Sequence, residues 1–204
     1  KIARAMVTEY GMSNLGPIQY ERQTGSVFLG RDYMSDKNFS DQIALEIDNE
    51  IIDKILELAQ TAPSACNRQA TKVYVVKERK LFQKIEDLQL GCRGFGRNAS
   101  TFFVITSKLA LYESLETKLP IFDAGMYTMN LLYALQTYGL YGCTLNASFP
   151  GDANHKMHEL LGIPEEEDIN GLVVAYKIPA NKEIRVPASP RRKTNEVSYI
   201  IESK

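Results

Sequence analysis

Apolar residues recur along this chain with helical and strand periods, and where the period changes the elements are predicted. Over residues 40–60 (SDQIALEIDNEIIDKILELAQ) Ile43, Ile47, Ile51, Ile55 and Leu58 fall on one helical face. Ser40 is placed to cap that helix and Pro63 to end it. Val73-Tyr74-Val75-Val76, FFVIT (102–106) and LVVAYK (172–177) are short apolar runs of the kind that form buried strands. A helix is predicted over about 79–90, broken by Gly91, Gly94 and Gly96, and a shorter one over 153–162 ending at Gly162. From about Ala124 to Tyr138 the chain is apolar nearly all round. A helix of that kind is buried in a core or in a subunit interface. Residues 1–9 have helical periodicity, 10–40 read as loops around a short apolar Val27–Leu29, and 179–193 (PANKEIRVPASPRRK) as an extended basic tail.

Composition narrows the class. Of 204 residues 44% are hydrophobic and 24% charged, and the net charge is −1. That is an ordinary globular balance, with nothing to suggest nucleic-acid or membrane-surface binding. The three cysteines, Cys66, Cys92 and Cys143, are widely spaced and odd in number. They predict a reducing, cytoplasmic setting rather than a disulfide framework. No apolar run reaches the roughly 18 residues of a membrane span, and no signal peptide is visible.

The familiar catalytic patterns are missing. GCRGFG (91–96) does not follow a strand and lacks the GxGxxG spacing, so a helix terminus is the better reading. No P-loop occurs. His155 and His158 lack a third metal ligand nearby and read as exposed, structural residues. The run Glu165–Asp168 reads as a solvated turn. Four polar stretches remain beside predicted core elements: Ser64–Gln69, Arg93 among its glycines, Cys143–Ser148 and Ser189–Arg192. Each alone is more often a loop than a site. Together they offer amides and adjacent arginines, which suit a hydrogen-bonding heterocycle at one end and a phosphate at the other. Flavin mononucleotide has that layout.

APSACNRQ, GCRGFG, FDAGMYTMNLLYALQTYGL, GCTLNAS and ASPRR occur in the order and spacing of the FMN-dependent nitroreductase family, which residues 50–200 resemble, most closely its SPRR-tailed branch. The resemblance implies an α+β, three-layer fold with a central, mostly antiparallel sheet flanked by helices. It also implies a homodimer with FMN at the interface. Ser64, Asn67 and Gln69 would line the flavin ring or ribityl chain, with Arg68 in the same cradle. Asn146 and Ala147 would lie near the reactive edge, and Arg191 and Arg192 would take the phosphate. NADH or NADPH would deliver a hydride to flavin N5, and a nitroaromatic, quinone or similar small molecule would accept the electrons. No separate catalytic side chain and no metal site is implied. The Arg-Arg-Ser-x-Arg stretch with which such enzymes usually begin is absent. Instead, residues 2–51 (ARAMVTEYGMSNLGPIQYE, VFLGRDY, FSDQIALEIDNEI) resemble the peptidase domain of FtsH-type AAA+ zinc proteases, without its HExxH helix. That implies neither zinc binding nor proteolysis by this segment. The two resemblances meet inside the 40–60 helix, as in a chimera, engineered, recombined or naturally fused. The division expected is therefore 1–50 and 51–204. The rival to a working oxidoreductase is a non-catalytic chimera that keeps the fold and binds FMN weakly or not at all.

Overall fold

The computed structural model describes residue 10, residues 41–177 and residues 188–201. The expectations for 1–9, 11–40 and 179–187, and for the side chains of Ile43 and Ile47, lie outside the described residues. Among the described residues four strands form one antiparallel sheet: β1 (Thr71–Val76), β2 (Thr101–Lys108), β3 (Leu140–Asn146) and β4 (Glu167–Lys177), in the order β1-β2-β4-β3. Registers such as Val73 opposite Ile105 and Val104 opposite Leu172 set apolar residues against apolar residues. The sheet is covered on both faces. On one, α1 (Asp41–Ala59) and α3 (Leu119–Thr137) pack with Phe103, Ile105, Val173 and Ala175. On the other, α2 (Arg79–Leu88) and α4 (Ala153–Leu161) pack with Phe102, Val104, Leu172 and Val174. Two covered faces explain why β2 and β4 read as unbroken apolar runs, although antiparallel strands with one wet face alternate. The expected three-layer α+β architecture is what forms.

Particular residues depart from the sequence reading. The buried stripe of α1 is Ile51, Ile55 and Ala59, and Leu58 is exposed. A spacing of four drifts round the helix, and Ala59 rather than Leu58 closes the face. α3 begins at Leu119, with Pro120 in its first turn, where a missing N–H costs nothing. Only part of α3 enters the core: Ala124, Tyr127, Leu131, Ala134 and Leu135 are buried, while Ile121, Phe122, Met129 and Tyr133 are exposed. The strand β3 has no counterpart in the predicted elements, because it is an edge strand with mostly exposed positions. It is held close under α3 by Gly142, where an added Cβ would sit 2.7 Å from Leu132 Cδ2. Gly162 ends α4 in the left-handed conformation (φ 64°), as its place in the sequence suggested. Glu167, assigned to a solvated turn, is instead buried at the start of β4. It accepts hydrogen bonds from Thr106 Oγ1 (2.7 Å) and the Tyr74 hydroxyl (3.0 Å) and pairs with Lys72. Burial pushes its carboxyl up, but these donors outweigh burial and hold it below the ordinary value. His158 is buried rather than exposed, its Nδ1 3.2 Å from the Ile163 carbonyl oxygen, and His155 is exposed beside Glu165.

Candidate functional site

Pro63 cannot continue α1, and the chain turns through one short 3₁₀ turn, Ala65–Asn67, before β1. Three residues that are not glycine take left-handed backbone here: Cys66 (φ 52°), Asn67 (54°) and Gln69 (50°). Each costs about 1–2 kcal/mol for an L residue and persists only where the surroundings over-determine it. Part of the holding is local. The Ser64 carbonyl accepts from Asn67 N (3.0 Å) and Ser64 Oγ accepts from Gln69 N (3.0 Å). Part is remote. Asp123, buried on α3, accepts from Ala65 N at 3.0 and 3.2 Å, and Arg68 pairs with Glu116 at 2.5 Å above the Tyr112 ring. That pairing raises Arg68 and lowers Glu116 from their ordinary values. Tyr112 donates its hydroxyl to Asp123 Oδ2 (2.9 Å), and burial followed by that bond pushes it up to about 12.

The loop presents amides outward. Gln69 Nε2 donates to Asn67 Oδ1 (3.2 Å). Gln69 Oε1 and Asn67 Nδ2, an acceptor and a donor on exposed residues, are left without a bond among the described residues. Such a pair matches the imide edge of a planar heterocycle. Ser64 and Gln69 line a small cleft of about 80 Å³ with Gln60, Thr71, Asp123 and Tyr127.

The second predicted group lies elsewhere. Asn146 ends β3, and its carbonyl accepts from Gln89 Nε2 (2.8 Å). Gln89 is itself buried, and its Oε1 accepts from Gly91 N (2.6 Å) and Cys92 N (3.1 Å). Asn146 Oδ1 accepts from Ser148 N (3.1 Å), and Ala147 packs against the α2/α4 core. The neighbouring groove, about 360 Å³, is lined by Ile121, Gly125, Thr128, Thr144 and Asn170 among others. Asp123 and Tyr127 face the first cleft and Ile121, Gly125 and Thr128 the second, so the two open on opposite faces of α3. Among the described residues, neither of these two clefts is lined by both the cradle and the end of β3.

Arg191 and Arg192 stand on the described tail, 188–201, which is exposed throughout. Arg191 donates to the carbonyls of Ser189 (3.1 Å) and Pro190 (3.3 Å). Among the described residues neither arginine bonds to the cradle. The glycine segment 91–96 is a helix terminus: Glu86 of α2 accepts from Gly94 N (3.0 Å), Arg97 N (2.7 Å) and the Arg97 side chain. Those bonds, the Arg97 guanidinium first, bring the Glu86 carboxyl down to about 2. Among the described residues no cluster of three His, Cys, Asp or Glu could hold a metal, and no helix is long and apolar enough to cross a membrane. Asp123, Gln89 and Glu116 are absent from the sequence-derived site. The available signal was a lone acid in an otherwise apolar helix, FDAG.

Two family models match, each over less than half of the chain. Peptidase family M41 matches residues 1–88, and the nitroreductase family matches residues 83–175. Among curated proteins, the chain is 63% identical over 67 residues to the ATP-dependent zinc metalloprotease FtsH of Acholeplasma laidlawii, covering 33% of this chain and 10% of that one. It is 46% identical over 89 residues to FtsH of Bacillus subtilis, covering 43% and 14%. The chain thus spans about a tenth of the length of the curated relatives it matches. Among solved structures it is similar to a nitroreductase-like protein from Streptococcus mutans (TM-score 0.63, 20% identity, 76% of this chain and 88% of that one). It is also similar to a nitroreductase family protein from Streptococcus pneumoniae (0.63, 18%, 83% and 92%). A third is an FMN-dependent nitroreductase from Clostridium difficile (0.60, 19%, 74% and 86%). These likenesses concern the fold. The chain thus matches the M41 family in its N-terminal part and the nitroreductase family over residues 83–175.

Proposed function

We propose that the nitroreductase-family domain is an FMN-dependent oxidoreductase that draws on NADH or NADPH and reduces a nitroaromatic, quinone or similar small acceptor. The observation that carries this reading is the 64–69 cradle, a strained loop over-determined by its surroundings that turns an amide donor and an amide acceptor outward. In this reading Ser64, Asn67 and Gln69 bind the ring or ribityl chain, Asn146 and Ala147 lie along the reactive edge, and Arg191 and Arg192 grip the phosphate. Arg68, already paired with Glu116, holds the loop instead of the phosphate. When bound, FMN supplies the hydride chemistry, and the chain's own residues orient the ring and keep water off it.

The domain works as a homodimer that sets the cradle of one subunit against the Asn146 end of its partner. The exposed Ile121, Phe122, Met129 and Tyr133 of α3 support that assembly, as does the separation of the two groups within one chain. We place the junction with the M41 segment at residues 50–51, inside α1. In support, Ile51, Ile55 and Ala59 pack against the sheet, and β1, within the M41 match, pairs with β2 along its length. The free thiols Cys66, Cys92 and Cys143 fit a reducing, cytoplasmic setting.

The experiment is to release the cofactor by heat, identify it by chromatography, and follow NADH and NADPH oxidation with a nitroaromatic acceptor. FMN and acceptor-dependent oxidation are expected. FAD, or no flavin in protein refolded with excess FMN, overturns the reading. The second of those results would point to a domain that keeps the fold and binds FMN weakly. Two observations favour that alternative: Arg68 is committed to Glu116, and among the described residues the tail arginines make no bond to the cradle.

A further inference from the structure

We propose that Asp123 is a positioning residue of the cofactor cradle, a buried carboxylate that fixes the left-handed 65–69 loop from across the fold with Tyr112 as its support; this rests on the flavin reading above. The 3₁₀ turn at Ala65–Asn67 begins with backbone N–H groups that have no partner inside the turn. Ser64, at the N-cap, makes no side-chain bond to them, and its Oγ accepts from Gln69 N instead. Asp123, 58 residues further along the chain, supplies the missing acceptor with both oxygens, at 3.0 and 3.2 Å from Ala65 N. The carboxylate is 1% exposed. Leaving water is costly for a charge unless donors replace the lost hydration, and here an amide and the Tyr112 hydroxyl do so. The same Tyr112 ring lies 5.7 Å under the Arg68 guanidinium, which also pairs with Glu116. One carboxylate thus fixes the start of the loop and, through Tyr112, the seat of Arg68 in its middle.

The direction of the loop depends on this. Cys66, Asn67 and Gln69 are not glycines and would relax to φ below zero without an external hold. That relaxation would turn the Asn67 and Gln69 amides away from the position they share. Asp123 also lines the cleft beside Ser64 and Gln69, so its charge stands close to any ring placed there.

The test uses the full chain with Asp123→Asn, which keeps the shape and removes the charge, and Tyr112→Phe, which removes one donor. Three measurements are made. The first is the rate of trypsin cleavage after Arg68, relative to cleavage after Arg97 and Lys156, in flavin-free protein. The second is FMN affinity by flavin fluorescence. The third is the visible absorption band of bound FMN. Asp123→Asn should raise cleavage after Arg68 about tenfold with the reference sites unchanged, weaken FMN about tenfold and shift the band. Tyr112→Phe should do the same about threefold, and it carries the test if Asp123→Asn does not fold. Cleavage rising equally at all sites, or wild-type cleavage and spectra in both variants, overturns the proposal. Wild-type protein that binds no FMN would sink the flavin reading alone, since the cleavage arm still decides whether Asp123 holds the loop.

Discussion

Truncating Ile55 to alanine asks whether α1, which lies within the M41 match, is an integral part of the nitroreductase-like core. Ile55 is fully buried among Ile51, Ala59, Phe103, Ile105 and Tyr127. The substitution deletes three carbons, about 2.4 kcal/mol at roughly 0.8 kcal/mol for each buried methylene. The cavity adds to this, and buried Ile→Ala changes cost about 2–5 kcal/mol in all. Leu58 is 39% exposed, so Leu58→Ala should cost about 1 kcal/mol. The contrast is informative because the periodicity of 40–60 places both residues on one stripe. Urea unfolding followed by circular dichroism reads it, since the chain has no tryptophan. Both variants are compared with wild type at one protein concentration, because an oligomer's stability depends on concentration. The midpoint should fall with the slope unchanged. In a thermal scan Ile55→Ala should lower Tm by about 4–20 °C, at roughly 2–4 °C per kcal/mol for a domain of this size. If Ile55→Ala costs under about 1 kcal/mol, or no more than Leu58→Ala, α1 is not docked as described and the junction inside it loses its support.

The Glu86 carboxyl is near 2 when folded, against an ordinary 4.5. Its contribution to stability is therefore complete above about 4.5 and is lost as pH falls from there towards 2; Glu86→Gln should flatten the acid limb of an unfolding-midpoint-against-pH curve, and an unchanged limb would refute this. Arg191→Ala or Arg192→Ala should weaken FMN about tenfold or more, since hydrogen bonds to charged groups are worth roughly 1.5–3 kcal/mol. Riboflavin, which has no phosphate, should be nearly unaffected, and equal losses for the two ligands would show that the tail does not hold the phosphate. Light scattering should give a dimer mass, and Tyr133→Glu, on the exposed face of α3, should shift it towards monomer. A flavin-loaded wild-type monomer would remove the shared-site arrangement.

What the sequence made legible depended on how far each residue's reason lay from it. FFVIT and LVVAYK announce strands because both sheet faces are covered, so every position along them is apolar. The α4 terminus is legible because Gly162 carries its own backbone permission. β3 was not, since an edge strand needs no apolar run and its decisive residue, Gly142, acts through the Leu132 and Leu135 side chains of another element. The cradle shows the same division. Ser64, Asn67, Arg68 and Gln69 were found because they cluster within six positions. The residues that give the loop its shape stand 48 to 58 positions away. Glu167 misled for that reason: a run of acids has the composition of a turn, and only the partners on β1 and β2 make one of them a buried acceptor. Local composition can therefore nominate the surface that meets a ligand. The groups that hold that surface in place are acids and amides whose partners exist only after the sheet has formed, and Asp123 and Gln89 are of this kind. A lone carboxylate in an apolar helix is their one trace in the sequence, because burying it is too costly without a partner elsewhere in the fold.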